Sequence, residues 1–157
     1  MLRPLESKDN AAVCNIIRTV MPEFGASGQG FAIHDVEVED MYAFYTQPTC
    51  AYFVWDENGK IMGGGGVAPL AGGEADTCEL KKMYFLPEGR GRGLGQVILT
   101  ECLKAAKALG YKYCYLETFN TMTSAMKLYG KNGFKKISGP CGNTGHFACD
   151  VFYRKEL

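Results

Sequence analysis

The chain has 157 residues, the size of one ordinary domain spanning 1–157, and can bury enough apolar surface to fold without staples. Lys plus Arg number 17 and Asp plus Glu number 17, so the formal net charge is zero. That balance argues against bulk nucleic-acid or anionic-membrane binding, which normally leaves a basic excess, and confines any anion binding to a local site. Cys14, Cys50, Cys78, Cys102, Cys114, Cys141 and Cys149 are odd in number, and no pair has C-x-x-C spacing. Several fall in apolar periodic runs, so they read as small buried hydrophobes in a reducing compartment. Only His34 and His146 could add nitrogen ligands, neither at ligand spacing, so no metal is expected. The first ten residues carry no apolar signal core and no run approaches ~18 apolar residues, so the expected location is the cytoplasm, away from membranes.

In chain order, "MLRPL" suggests a short first strand. Ser7 or Asp9 is placed to cap a helix whose inner stripe is Ala12, Val13, Ile16, Ile17 and Val20, ending at Pro22 and Gly25. A glycine-rich loop follows, and the pattern predicts a second helix from about Asp35 to Tyr45, with Val38, Met41 and Tyr42 inward. "CAYFVW" and "KIMGGGGVAPL" flank "DENGK", whose Asn-Gly pair signals a hairpin. "TCELKKMYFLP" completes an antiparallel meander. Leu94, Ile98, Cys102, Ala105, Ala106 and Leu109 then define a long helix capped at Gly110. "YKYCYLETF" reads as a strand. "TMTSAMKLYGKNG" reads as a helix opened by Thr121 or Thr123 and stopped by Gly133. "FKKIS" and "ACDVFYRKEL" close the chain as strands. The order β-α-α-β-β-β-α-β-α-β-β defines an α+β domain with a mixed sheet.

Between the meander and the long helix lies "LPEGRGRGLGQ", with Gly89, Gly91, Gly93 and Gly95 alternating with Arg90, Arg92 and Leu94. It fails the Walker pattern, because no Gly-Lys-Ser/Thr is present, and fails the Rossmann pattern in spacing and in its antiparallel context. A single copy argues against an RGG-type RNA binder. What remains is a strand end, small residues that admit a close backbone approach, and a helix start whose unpaired N–H groups and positive dipole end attract an anion.

"LKKMYFLPEGRGRGLGQVIL" resembles the acyl-CoA-binding segment of the GCN5-related N-acetyltransferase (GNAT) superfamily. In that family a strand ends in aliphatic-x-Pro, and [Q/R]-x-x-G-x-[G/A] opens a helix. Here those parts are Phe85-Leu86-Pro87 and Arg90-Gly91-Arg92-Gly93-Leu94-Gly95. A second block, "SAMKLYGKNGFKKI", matches the family's A-x-x-L-Y-x-x-x-G-F pattern at Ala125, Leu128, Tyr129, Gly133 and Phe134. The resemblance covers at least residues 76–137. It departs at the Asn that often precedes the second block by three residues: Met122 stands there, and Asn120 lies two residues earlier.

The resemblance implies a GNAT fold, with a mostly antiparallel sheet flanked by helices on both faces. It implies acetyl-CoA as co-substrate and no metal. Backbone N–H groups from Gly91 to Gly95, including Leu94, would hold the pyrophosphate, with charge from Arg90 and Arg92. The segment Met83, Tyr84 and Phe85 would hold the pantetheine arm by its main chain, Phe85 offering an oxyanion N–H, with Asn120 as a further cofactor contact. Tyr129 would protonate the departing thiolate. Glu79, six residues before Phe85, is the candidate base, often acting through water in the family. A solvated strand glutamate is the equally weighted plain reading.

The acceptor side is expected in the variable loops. His34 and the acidic run Asp35, Glu37, Glu39 and Asp40 lie in one, and Asn143, Thr144 and His146 in another. The GGGG run at 63–66 signals either close ligand approach or packing against a bulky neighbour. The leading expectation is direct acetyl transfer to a small-molecule primary amine. The alternatives are a protein N-acetyltransferase or a non-catalytic acyl-CoA-binding module. No nucleic-acid partner is expected, and the C-terminal edge strands allow a homodimer.

Overall fold

Seven strands form one open sheet in a computed structural model that describes residues 1–157. The strands are β1 (Leu2–Pro4), β2 (Ala51–Glu57), β3 (Lys60–Pro69), β4 (Thr77–Phe85), β5 (Tyr113–Thr118), β6 (Lys135–Ile137) and β7 (Val151–Glu156). Their spatial order is β1-β2-β3-β4-β5-β7-β6. Every pairing is antiparallel except β4 with β5. The helices are α1 (Asn10–Glu23), α2 (Met41–Tyr45), α3 (Leu94–Ala108) and α4 (Thr123–Lys131), giving the element order read from the sequence. No helix is long and apolar enough to cross a membrane.

Two apolar cores lie on opposite faces of the sheet. On one, α1 buries Val13, Ile16, Ile17 and Val20 with Met41 of α2 against Tyr52, Val54 and Ile61. On the other, α3 buries Ile98, Leu99 and Cys102, and α4 buries Tyr129, against Val67, Leu80, Cys114 and Leu116. Each fully buried Ile or Leu contributes about 1.5–3 kcal/mol, so both faces are needed to offset the ordering of the chain. All seven cysteines are free thiols, and Cys78, Cys102 and Cys114 are completely buried, as expected of small hydrophobes.

The helix ends differ from expectation in three places. Asp9 does not cap α1 with its side chain. It is buried and accepts both terminal nitrogens of Arg3, at 2.6 and 2.8 Å, because pairing a buried carboxylate outweighs a surface cap. The second helix is a single turn at Val36–Val38 followed by the five-residue α2, broken where Asp40 leaves helical geometry and accepts from the Ala43 N–H. Tyr45 rather than Tyr42 turns fully inward there. Neither threonine caps α4: Met122 holds the cap position, and the Thr121 hydroxyl donates to the Phe24 carbonyl at 2.8 Å, tying the end of α1 to the start of α4. Leu109 lies past the buried stripe of α3 and is 37% exposed.

The GGGG run resolves as packing. A methyl group at Gly64 or Gly66 would meet the Tyr52 ring at 2.7 and 2.5 Å, and one at Gly65 would meet Met83 at 2.8 Å. Bare backbone lets the β2 and β4 side chains lie flat across β3.

Two irregularities in β4 shape the site. The pairing of β3 with β4 runs Gly66 with Lys81 and then Gly64 with Tyr84, so β4 carries one extra residue, a β-bulge. Lys82, at a φ of 58°, occupies it, and its carbonyl accepts from the Tyr52 hydroxyl at 2.8 Å. The β4–β5 ladder stops at Glu79 with Tyr115, so beyond that point β4 has no neighbour on its β5 side.

Candidate active site

The free edge of β4 leads directly into the glycine-arginine loop. The Leu86 N–H donates to the Met62 carbonyl on β3 at 2.9 Å. By strand alternation, the main-chain groups of Phe85 and Met83 therefore face the open side. A turn at Pro87–Gly89 carries the chain round, and Gly93, at a φ of 79°, starts α3 from a left-handed conformation. A side chain at Gly91 or Gly93 would meet nothing within 4 Å, so these glycines are required by backbone conformation rather than by crowding. The first internal bonds of α3 come from Gln96 and Val97 to the Gly93 carbonyl. Five consecutive amides, from Gly91 to Gly95, have no acceptor within the protein. They edge a cleft of about 280 Å³ whose walls include Met83, Tyr84 and Phe85 from β4 and Ala125 and Leu128 from α4.

The two arginines diverge. Arg90 lines this cleft: its Nε donates to the Phe85 carbonyl at 2.9 Å, a terminal nitrogen pairs with Glu23 at 2.8 Å, and the guanidinium lies 5.2 Å from the Phe24 ring centroid. Arg92 turns away and pairs with Glu57 at 2.5 Å. Asn120 also lies outside the cleft. It is exposed in the turn after β5, and its N–H donates to Asp150, just before β7. Met122, the cap of α4, and Ser124, in its first turn, take up the wall instead.

A second, smaller pocket of about 40 Å³ adjoins the first at Met83, Tyr84 and Met122, with room on the scale of a few water molecules. Glu79, Glu117, Tyr129 and His146 all reach it. Tyr129 projects from α4 beside Phe134 and Tyr153, and its hydroxyl has no hydrogen-bond partner in the protein. Burial pushes its phenol above the ordinary value, so it is a neutral proton donor at physiological pH. Glu79 is 3% exposed and accepts no hydrogen bond; Lys81 and His146 stand 3.8 and 3.9 Å away. Burial raises its carboxyl, and the two cations only partly offset this.

Around Glu79 is a network that joins four segments. His146 faces Asp35 through Nε2 at 2.9 Å and Glu117 through Nδ1 at 3.1 Å. Tyr115 and Thr144 each donate to Glu117 at 2.8 Å. Lys82, from the bulge, is buried against Asp35, and Lys81 pairs with Glu37 at 2.5 Å. Burial would raise the Asp35 and Glu117 carboxyls, but their bonds to His146, with Lys82 for Asp35 and Tyr115 and Thr144 for Glu117, hold both below the ordinary range. Burial opposes the charge on His146, yet its two carboxylate partners outweigh that and raise it to about 9. His34 is outside this network; its Nε2 lies 3.0 Å from the Ser27 carbonyl.

The chain and its fold have known relatives. The family model for the acetyltransferase (GNAT) family matches residues 14–134. The chain is 41% identical, over all of its length and 95% of the relative's, to an uncharacterized N-acetyltransferase, YjgM, of Escherichia coli. Two solved structures share the fold. An acetyltransferase of the GNAT family from Staphylococcus aureus matches at a TM-score of 0.87 and 20% identity, with 100% of this chain and 98% of that one covered. The structure of yncA from Salmonella typhimurium, solved with acetyl-CoA, matches at 0.78 and 18%, covering 100% and 93%. The chain belongs to the GNAT family and is an N-acetyltransferase.

Sequence reasoning did not join His146 to Glu117 and Asp35. Glu117 carried a detectable signal, a carboxylate among the apolar residues of "YLETF", one residue from the buried Leu116.

Proposed function

We propose that this enzyme moves an acetyl group from acetyl-CoA to the primary amine of a small molecule by direct transfer. The observation that carries the reading is the row of five unpartnered amides, Gly91 to Gly95, at the start of α3 and beside an unpaired strand edge. A helix start with free N–H groups fits a pyrophosphate, and the open main chain of Met83 and Phe85 fits the amides of a pantetheine arm. Bound there, acetyl-CoA supplies an activated acyl group and a thiolate leaving group.

The chain's own residues divide the remaining work. Arg90 keeps the loop closed on the strand end through Phe85 and Glu23, and its cation lies at the cleft wall. The Phe85 N–H is the donor placed for a developing oxyanion. Tyr129, neutral and without a protein partner, gives its proton to the departing sulfur. An ammonium near its ordinary pKa of ~10.4 must lose a proton before it attacks. Glu79 takes it, through water in the small pocket. The enclosure of that pocket, and the carboxylates Glu79 and Glu117 that line it, favour a small cationic acceptor over a bulky protein segment.

The test is thiol release from acetyl-CoA against a panel of small amines and of peptides, with Tyr129→Phe beside the natural enzyme. Release that needs a small amine and falls in Tyr129→Phe is the expected result. Acetylation restricted to peptide amines would overturn the small-molecule reading, and an unchanged rate in Tyr129→Phe would remove it as the acid.

A further inference from the structure

We propose that His146 is a positioning residue for Glu79: held as an imidazolium between Asp35 and Glu117, it keeps the Glu79 carboxyl ionised and able to accept a proton. The inference rests on the reading of Glu79 as the base.

The geometry carries it. Each ring nitrogen of His146 meets a carboxylate, Nε2 both oxygens of Asp35 at 2.9 Å and Nδ1 an oxygen of Glu117 at 3.1 Å. A neutral imidazole has one N–H and one lone pair, so one of those contacts would set a lone pair against a carboxylate oxygen. Both contacts are satisfied when both nitrogens carry hydrogen. The ring is 7% exposed, so water does not replace either partner. The same Nδ1 lies 3.9 Å from Glu79 Oε1, which places a fixed positive charge beside a buried carboxyl that has no hydrogen bond of its own.

The charged surroundings make that position matter. β4 contributes Glu79, Lys81 and Lys82; the loop before α2 contributes Asp35 and Glu37; β5 contributes Glu117. The neutral titratable groups around the pocket include Tyr84 from β4, Tyr129 from α4 and Cys149 from the ring's own loop, with Tyr115 of β5 bonded to Glu117. Four carboxylates therefore face two lysines and His146. Without the imidazolium the cluster holds twice as many anions as cations, and Glu79, which no hydrogen bond favours as an anion, is the group that takes up a proton. A base that is already protonated accepts nothing. Lys81, 3.8 Å from Glu79, supports the same anion but also pairs with Glu37 at 2.5 Å, and Lys82 is engaged by Asp35; the ring alone also spans Asp35 and Glu117, so its loss leaves two further carboxylates short of a partner beside Glu79.

Three measurements on the full chain test this. The first needs no variant: ¹⁵N spectra of the His146 ring at pH 7.5 are expected to show both nitrogens protonated, and a neutral tautomer would overturn the inference. The second follows the Glu79 carboxyl by ¹³C spectra, assigned by its loss in Glu79→Gln. Its midpoint is expected to rise by at least about one pH unit in His146→Gln and to return part of the way in His146→Lys, since a unit charge at this distance is worth several-fold more than the shift required. A midpoint that does not move in folded His146→Gln overturns the inference. The third is the acid limb of kcat/KM, expected to move up with the carboxyl. A shifted carboxyl with an unmoved limb would instead overturn Glu79 as the base and leave the electrostatic link to His146 standing.

Discussion

The two halves of the site are built from different material. The donor side is main chain: the free edge of β4, the turn at Pro87–Gly89 and the amides that open α3 follow one another within a single stretch of sequence. The side we propose for the acceptor is side chain: Asp35, Glu79, Glu117 and His146 come from four separate segments and meet only in the fold. The first is fixed by local conformation, and a change there alters shape. The second is fixed by charge balance, and a change there alters protonation.

Substitutions should separate the halves by the kind of damage they do. The largest effect is expected at their junction: Tyr129→Phe should lower kcat by about a hundredfold, the usual scale for a lost general acid, with acetyl-CoA affinity by calorimetry unchanged. On the donor side, Gly93→Ala puts a side chain at a φ of 79°, where L-residues are strained by about 1–2 kcal/mol. It should raise the KM for acetyl-CoA roughly five- to thirtyfold and leave the pH profile in place. On the acceptor side, His146 is raised from 6.5 to about 9 in the folded chain. A raised group stabilises fully below its unfolded value, so this contribution should be complete below pH 6.5 and lost as pH rises through 9. Melting curves should show Tm falling across that window in the natural chain, and His146→Gln should flatten the fall. The smallest effect is expected of Arg92→Ala. Its ion pair with Glu57 is solvent-exposed and screened by water, so the folding equilibrium and the acetyl-CoA KM should each change by less than about threefold.

The same division explains what the sequence disclosed. The strand–glycine–helix passage from Met83 to Leu94 is legible because its conformation is set by neighbours in the chain, and it was found with the right polarity. The hairpin at Asn58-Gly59 and the stripe of α3 are legible for the same reason. Tyr129 was placed by its register with Gly133 and Phe134. The acceptor network was invisible because no spacing encodes a contact between residues 35 and 146. Asp9 looked like a cap until Arg3 claimed it, and Asp40 looked like a helix residue until its own side chain ended the helix. In each case a tertiary partner or a competing local hydrogen bond overrode the apolar period, as expected where short polar side chains have both choices.

The extra residue in β4 sets a limit on how this chain can vary. Side chains alternate along a strand, so the bulge at Lys82 is what lets Glu79 and Phe85 each face where they do from opposite ends of one element. Removing one residue between Lys81 and Tyr84 would restore an even ladder with β3 and keep Tyr84 opposite Gly64, but it would abolish the kink at Lys82, whose carbonyl now accepts the Tyr52 hydroxyl and whose amine reaches Asp35. Length at this point is thus a stricter inheritance than composition. Related chains should tolerate many substitutions along β4 and scarcely any insertion or deletion within it.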